Sequence, residues 1–148
     1  MILIFASDHA GLPLKQKIIK WLGAHKDISF VDVGSTVPRS TDDYPVFAAA
    51  GARAVRDTRC AKGIFICGSG VGMAIVANRF LGVRAVSAES VDVVRCACRE
   101  DYVNVLVLGA RIVTYAKAQK IIKTFLQTSP SPAKRHLKRI RLIDQLST

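Results

Sequence analysis

Gly63-Ile64-Phe65-Ile66-Cys67-Gly68-Ser69-Gly70-Val71-Gly72-Met73-Ala74-Ile75-Val76-Ala77-Asn78 decides the fold. An apolar run ends in a cysteine, passes through a glycine loop and resumes as a helix, which reads as strand, turn and helix start. Free backbone N–H groups point outward at such a junction, so it is ready to hold an anion. Cys67 stands at its lip, where the helix dipole favours a thiolate. The first functional expectation is therefore an anion held by backbone amides beside a group able to move a proton. The loop is no dinucleotide fingerprint: it follows the third strand, its spacing is G-x-G-x-G, and it lacks the Lys-Ser/Thr ending of a P-loop. The competing reading is a tight turn that lets strand and helix approach.

Working outward, strand and helix patterns alternate along the chain. Residues 2–6, 28–33, 63–67, 83–87 and 104–108 read as strands. Helices are expected over 12–24, 46–58, 72–80, 91–99, 114–127 and 133–146. Residues 34–45 read as a polar loop carrying Asp42-Asp43, and Ser129-Pro130-Ser131-Pro132 as a break. Near-continuous apolar strands separated by helices imply a parallel sheet covered on both faces. The expected fold is α/β, a three-layer α/β/α sandwich around a five-stranded parallel, Rossmann-like sheet, with residues 1–148 forming one domain. The last helix is basic and lies beyond the five-strand unit. Its apolar stripe of Leu137, Ile140, Ile143 and Leu146 suits docking on a neighbouring subunit, and packing on its own domain is equally allowed.

Composition narrows the class. Half the 148 residues are hydrophobic, which excludes a disordered chain. No apolar run approaches the length of a membrane span. The apolar N-terminus is short, lacks a basic lead and meets Asp8 at once, so it reads as a strand and the expected location is the cytoplasm. The four cysteines follow no common zinc spacing and are expected to be reduced thiols, with Cys96 and Cys98 as small apolar helix residues. The formal net charge is +11, with Lys134, Arg135, Lys138, Arg139 and Arg141 clustered near the end. That cluster suits phosphate or is a solvated helix face. No aromatic-studded basic strand, helix-turn-helix or RNA-binding motif favours nucleic acid.

In open parallel sheets, ligands bind at the carboxyl ends of the strands. Ser7-Asp8-His9-Ala10-Gly11, Thr41-Asp42-Asp43-Tyr44-Pro45, Cys67-Gly68-Ser69 and Arg111 all fall there, whereas Glu100-Asp101-Tyr102-Val103-Asn104 precedes the fifth strand. Asp8 suits a helix cap, and His9 suits phosphate binding, proton transfer or a local hydrogen bond. His25 reads as structural at a helix end and His136 as a surface residue. Three scattered histidines give no metal-ligand spacing, and no metal or cofactor is expected.

These segments, with Ala77-Asn78-Arg79, Gly82-Val83-Arg84-Ala85 and Asn104-Val105-Leu106-Val107-Leu108-Gly109-Ala110-Arg111, occur in one order along essentially the whole chain. Together they resemble the RpiB/LacAB sugar-phosphate isomerases, the ribose-5-phosphate isomerase B family. The resemblance implies metal-independent interconversion of ribose 5-phosphate and ribulose 5-phosphate through a cis-enediolate. It implies Cys67 as the carbon base, Ser69 as a proton relay, and backbone N–H groups of Gly68, Gly70, Val71 and Gly72 on the enediolate oxygen. It implies phosphate held by His9, Arg111, Arg135 and Arg139, with Asp8, Tyr44, Asp101 and Asn104 lining the sugar. It also implies a homodimer, or dimers paired into a tetramer, in which the C-terminal arginines reach the partner's site.

One departure stands out. Where the family usually has His-Asn, with the histidine opening the furanose ring, this chain has Glu100-Asp101. Either Glu100 takes that role, or Asp8 or His9 does, or ring opening is slow, or the substrate is another sugar phosphate such as allose or galactose 6-phosphate. A non-catalytic homologue that binds a phosphate ligand is the remaining alternative.

Overall fold

The computed structural model describes residues 1–38 and 41–146, so residues 39 and 40 of the predicted 34–45 loop lie outside the described part. The elements in chain order are β1 (Ile2–Ser7), α1 (Leu12–Leu22), β2 (Ser29–Asp32), α2 (Tyr44–Asp57), β3 (Lys62–Cys67) and α3 (Val71–Ala77). They continue as β4 (Ala85–Ser87), α4 (Val91–Glu100), β5 (Val105–Gly109), α5 (Tyr115–Gln127) and α6 (Lys134–Gln145). The five strands form one parallel sheet in the order β2-β1-β3-β5-β4. The expected α/β architecture is the observed one.

Boundaries differ where local chemistry overrides the apolar pattern. α1 stops at Leu22 because Gly23 closes it, its N–H donating to the Ile19 carbonyl at 2.8 Å. α2 begins two residues earlier than expected, since Pro45 sits in its first turn, where a missing N–H costs nothing. β4 is shortened from its predicted start to Ala85–Ser87. There Asn78 holds the Ala85 backbone from both sides, donating from Nδ2 at 2.8 Å and accepting at Oδ1 at 2.7 Å.

Side-chain alternation along the strands builds two cores. Leu3, Phe5, Ile64, Ile66, Leu106 and Leu108 face α1, α4 and α5, meeting Ile18, Val94, Ile121 and Phe125. Ile4, Ala6, Phe65, Val105 and Val107 face α2 and α3, meeting Ala48, Ala52, Val55 and Met73. α6 stands apart: only His136 and Ile140 are buried, while Leu137, Leu142, Ile143 and Leu146 remain exposed. His136, expected at the surface, is buried, with Nε2 accepting from Arg135 Nε at 3.2 Å. Of the helical cysteine pair, Cys98 is buried and Cys96 exposed, because two residues turn a helix by more than half a circle. No described helix is long and apolar enough to cross a membrane.

The apolar face of α1 carries one charge. Lys15 lies three residues before Ile18 and seven before Leu22, which puts it on the buried face, and it is 1 % exposed. Its Nζ donates to Asp32 Oδ1 at 2.9 Å and to the Ser35 carbonyl at 2.7 Å, tying α1 to the chain leaving β2. A buried ammonium survives only with such partners.

The turn from β1 into α1 crosses the end of β3 at close range. A Cβ added at Gly11 would lie 2.0 Å from the Ile66 carbonyl oxygen, a backbone atom that cannot step aside. Gly11→Ala is therefore expected to cost about 3 kcal/mol or more, at the upper end of overpacking penalties, and urea unfolding measures it.

Candidate active site

The sheet order makes β1 and β3 neighbours whose following connections diverge: β1 leads to β2 on one side, and β3 leads towards β4 on the other. This reversal opens a crevice beyond their carboxyl ends. Ser7 of β1 aligns with Ile66 of β3, so Asp8-His9 and Cys67-Gly68 emerge side by side. Gly109 of β5 aligns with Cys67 and brings Arg111 to the same rim, where its N–H donates to the Gly68 carbonyl at 3.0 Å. The result is a cavity of about 220 Å³ lined by Asp8, His9, Ala10, Tyr44, Cys67, Gly68, Ser69, Gly72 and Arg111.

Cys67 is 4 % exposed and its Sγ accepts from the Gly70 N–H at 3.2 Å. Gly70 has φ 81°, a left-handed conformation natural to glycine, and this turns its N–H back towards the sulfur. The bond strengthens as negative charge gathers on sulfur. Ser69 Oγ accepts from the Val71 N–H at 3.3 Å. The N–H groups of Gly70 and Val71, which the resemblance assigns to an oxyanion, point in this structure to Cys67 Sγ and Ser69 Oγ at the cavity lip.

Asp8 is 6 % exposed, and Oδ1 accepts from the Gly11 N–H at 2.8 Å, so one oxygen closes the turn that leads into α1 while the residue borders the cavity. His9 is gripped by Asp42, whose Oδ1 accepts from the His9 backbone N–H at 3.1 Å and meets ring Nδ1. Burial penalises the Asp42 carboxylate, but donation from the His9 ring and backbone outweighs that and holds its pKa below the ordinary aspartate value. Its contribution to folding is thus present above that ordinary value and is lost as pH falls through the lowered one. Sequence reading missed Asp42 as a site residue. The sequence offered no signal for it, because α2 was expected to begin at residue 46, which left Asp42 and Asp43 alike in the preceding loop.

The other expected residues lie elsewhere. α4 runs back from the carboxyl to the amino end of the sheet, so Glu100 and Asp101 close it there, both exposed. The length of β5 separates them from Arg111, roughly 16 Å at the usual strand rise. Asn104 uses its side chain as a brace, accepting from the Arg84 N–H at 2.8 Å and donating to the Gly82 carbonyl at 2.8 Å, so it does not line the Cys67 cavity. Arg135 and Arg139 are exposed on α6. The approach to α6 is tied to the end of α4: the Ser131 N–H donates to the Arg99 carbonyl at 2.8 Å, and Tyr102 Oη donates to the Ser131 carbonyl. The chain therefore carries two separate groups, Asp8, His9, Tyr44, Cys67, Ser69 and Arg111 at one end, and Glu100, Asp101, Arg135 and Arg139 on the α4–α6 side.

A larger cavity, about 540 Å³, lies at the amino end of the sheet and includes Arg56, Arg59, Lys62 and Arg84. Most of this charge is already answered: Arg56 by Asp57, Arg84 by Asp144, and Lys62 by the Phe125 carbonyl at 2.8 Å. Burial lowers the Lys62 pKa and raises that of Cys98 beside it, which makes both less ready to charge. Size alone therefore does not identify the site. Among the described residues no group of three or more His, Cys, Asp or Glu is arranged to hold a metal ion.

Comparison with known proteins gives a consistent answer. A family described as Ribose/Galactose Isomerase matches residues 3–143. The ribose-5-phosphate isomerase B of Mycolicibacterium paratuberculosis is 38% identical over 146 residues, covering 97% of this chain and 89% of that protein. The structure of ribose-5-phosphate isomerase B from Clostridium thermocellum superposes with a TM-score of 0.92 at 32% identity, covering 99% of this chain and 97% of that one. That of the Mycoplasma genitalium enzyme with bound ribulose-5-phosphate gives 0.90 at 36% identity, covering 98% and 95%. With this match in sequence and fold, the chain belongs to the ribose/galactose isomerase family.

Proposed function

We propose that the chain is one isomerase domain that interconverts ribose 5-phosphate and ribulose 5-phosphate through a cis-enediolate. The observation that carries this reading is Cys67 Sγ, buried at the cavity lip under the Gly70 N–H, with Asp8, His9 and Arg111 around the same cavity. Moving a proton between C2 and C1 needs a base at carbon, a relay between the oxygens and a grip on phosphate. Cys67 serves as the base, and the Gly70 N–H supports the thiolate. Ser69 relays the proton between the oxygens. Gly68 and Gly72 border the enediolate, Asp8 and Tyr44 line the sugar, and His9 and Arg111 bind the phosphate.

The rest of the site comes from a second copy of the chain. A cavity of about 220 Å³ is smaller than the roughly 300 Å³ at which ligand pockets usually begin. The missing cations, Arg135 and Arg139, and the ring-opening candidate Glu100, with Asp101 beside it, lie on the same chain but far from that cavity. Apolar side chains left exposed beside both groups, Val71 and Ile75 on α3 and Leu137, Leu142 and Ile143 on α6, supply a surface for the contact. A homodimer with shared sites, able to pair into a tetramer, uses both groups. A cytoplasmic location keeps Cys67 reduced, as a thiol base requires.

An isomerase assay with chelator present, across five- and six-carbon sugar phosphates, tests the reading; turnover restricted to allose or galactose 6-phosphate overturns the substrate, and none at all overturns the activity. Cys67→Ala is expected to lower turnover by on the order of a hundredfold or more while inorganic phosphate still binds. Mixing Cys67→Ala with Arg139→Ala, each inactive alone, is expected to restore part of the activity once subunits exchange, because one site of each hybrid is intact. Glu100→Gln is expected to slow use of ribose 5-phosphate, which must open its ring, more than use of ribulose 5-phosphate; equal losses at saturation exclude Glu100 from ring opening.

A further inference from the structure

His9 is held by a residue 33 positions away. One oxygen of Asp42 meets both the backbone N–H and ring Nδ1 of His9. The Asp42 side chain is 12% exposed, and its other oxygen, Oδ2, is buried without a partner among the described residues. The adjacent acid behaves differently: Asp43 is the N-cap residue of α2 and its side chain makes no capping bond. A grip on backbone and ring together fixes the imidazole's position and orientation. With Nδ1 against the carboxylate, Nδ1 carries a proton and Nε2 is the ring nitrogen left for a ligand. His9 borders the cavity together with Asp8, Tyr44, Cys67 and Arg111.

We infer that Asp42 is a positioning residue for phosphate recognition: it fixes His9 so that Nε2 meets the substrate's phosphate, and it balances the imidazolium that forms against that dianion. The inference rests on the sugar-phosphate reading above. Asp42 touches no substrate and acts through the ring. An imidazolium between a carboxylate and a phosphate makes a charge-assisted hydrogen bond on each side, so the two contacts reinforce each other. The fall in the Asp42 pKa keeps that carboxyl ionised at neutral pH, as the role requires. A purely structural Asp42 would pin the loop before α2 to the end of β1 and leave phosphate affinity alone.

The two roles separate by experiment. Asp42→Asn keeps an acceptor for the His9 backbone and removes the charge; Asp42→Ala removes both. Inorganic phosphate is titrated into the ¹⁵N-labelled protein, with the His9 ring nitrogens followed by NMR, and KM and kcat are measured alongside. In the unmodified protein, Nδ1 is expected to be protonated and Nε2 to shift as phosphate binds. Asp42→Ala is expected to bind phosphate about tenfold more weakly, the loss of one charge-assisted hydrogen bond, with KM raised by a similar factor and kcat nearly unchanged. In a His9→Ala background, Asp42→Ala is expected to add no further loss. Unchanged phosphate affinity in Asp42→Ala, or an equal loss with and without His9, overturns the inference. If the alanine variant does not fold, Asp42→Asn decides: weaker phosphate binding supports the role, and binding equal to the unmodified protein overturns it. The phosphate titration needs no turnover, so an absence of isomerase activity would count against the proposed reaction and not against this role.

Discussion

The site depends on β1 lying against β3. Their parallel register brings the end of one strand, Asp8-His9, beside the end of the other, Cys67-Gly68, although the two segments are far apart in sequence. The pairing is tight enough that the turn after β1 sits on the β3 backbone at Gly11. Close packing transmits this: Leu3 and Phe5 on one face, Ile4 and Ala6 on the other, leave β1 no freedom to slide. A one-residue slip would turn every one of those side chains to the wrong face. Buried strands thus position the groups proposed to meet the substrate, which stand on the loops beyond them.

Much of this was legible in the sequence because it rests on short-range pattern. Apolar strands bounded by glycine gave the sheet, and the run from Gly63 to Asn78 gave the strand, loop and helix around Cys67. Long-range pairings were less visible. Nothing in local composition says that Asp42, rather than Asp43, reaches His9, since that choice follows from where α2 begins. The burial of Lys15 was not anticipated, because its partners Asp32 and the Ser35 carbonyl come from another part of the chain. His136 was misread because a basic neighbourhood suggests the surface, whereas its place one turn before Ile140 puts it on the inner side of α6.

Glu100 and Asp101 are grouped with the site by the resemblance, although their place before the fifth strand already sets them apart from the carboxyl ends. The helix that bears them runs opposite to the strands, so it delivers them to the far end of the sheet. In the composite arrangement proposed above, Glu100 and Asp101, which stand where the resembling family usually has His-Asn, would reach the site from a second copy of the chain. Part of the positive charge is answered within the chain, at Arg56, Lys62 and Arg84, while Arg135 and Arg139 stand exposed on α6, Arg135 donating to His136.

The strand order also has a consequence for how the protein is made. β5 is threaded between β3 and β4, and β4 pairs with no other strand. As the chain leaves the ribosome, β1, β2 and β3 can join as soon as β3 has emerged, so the crevice that holds Cys67 is outlined early. β4 then waits without a neighbour, and one edge of β3 stays bare until β5 has been synthesised. An open apolar strand edge in a nascent chain invites pairing with other chains. The interval between the third and fifth strands is therefore the vulnerable stage of biosynthesis, and it ends when β5 closes the sheet and brings Arg111 to its rim.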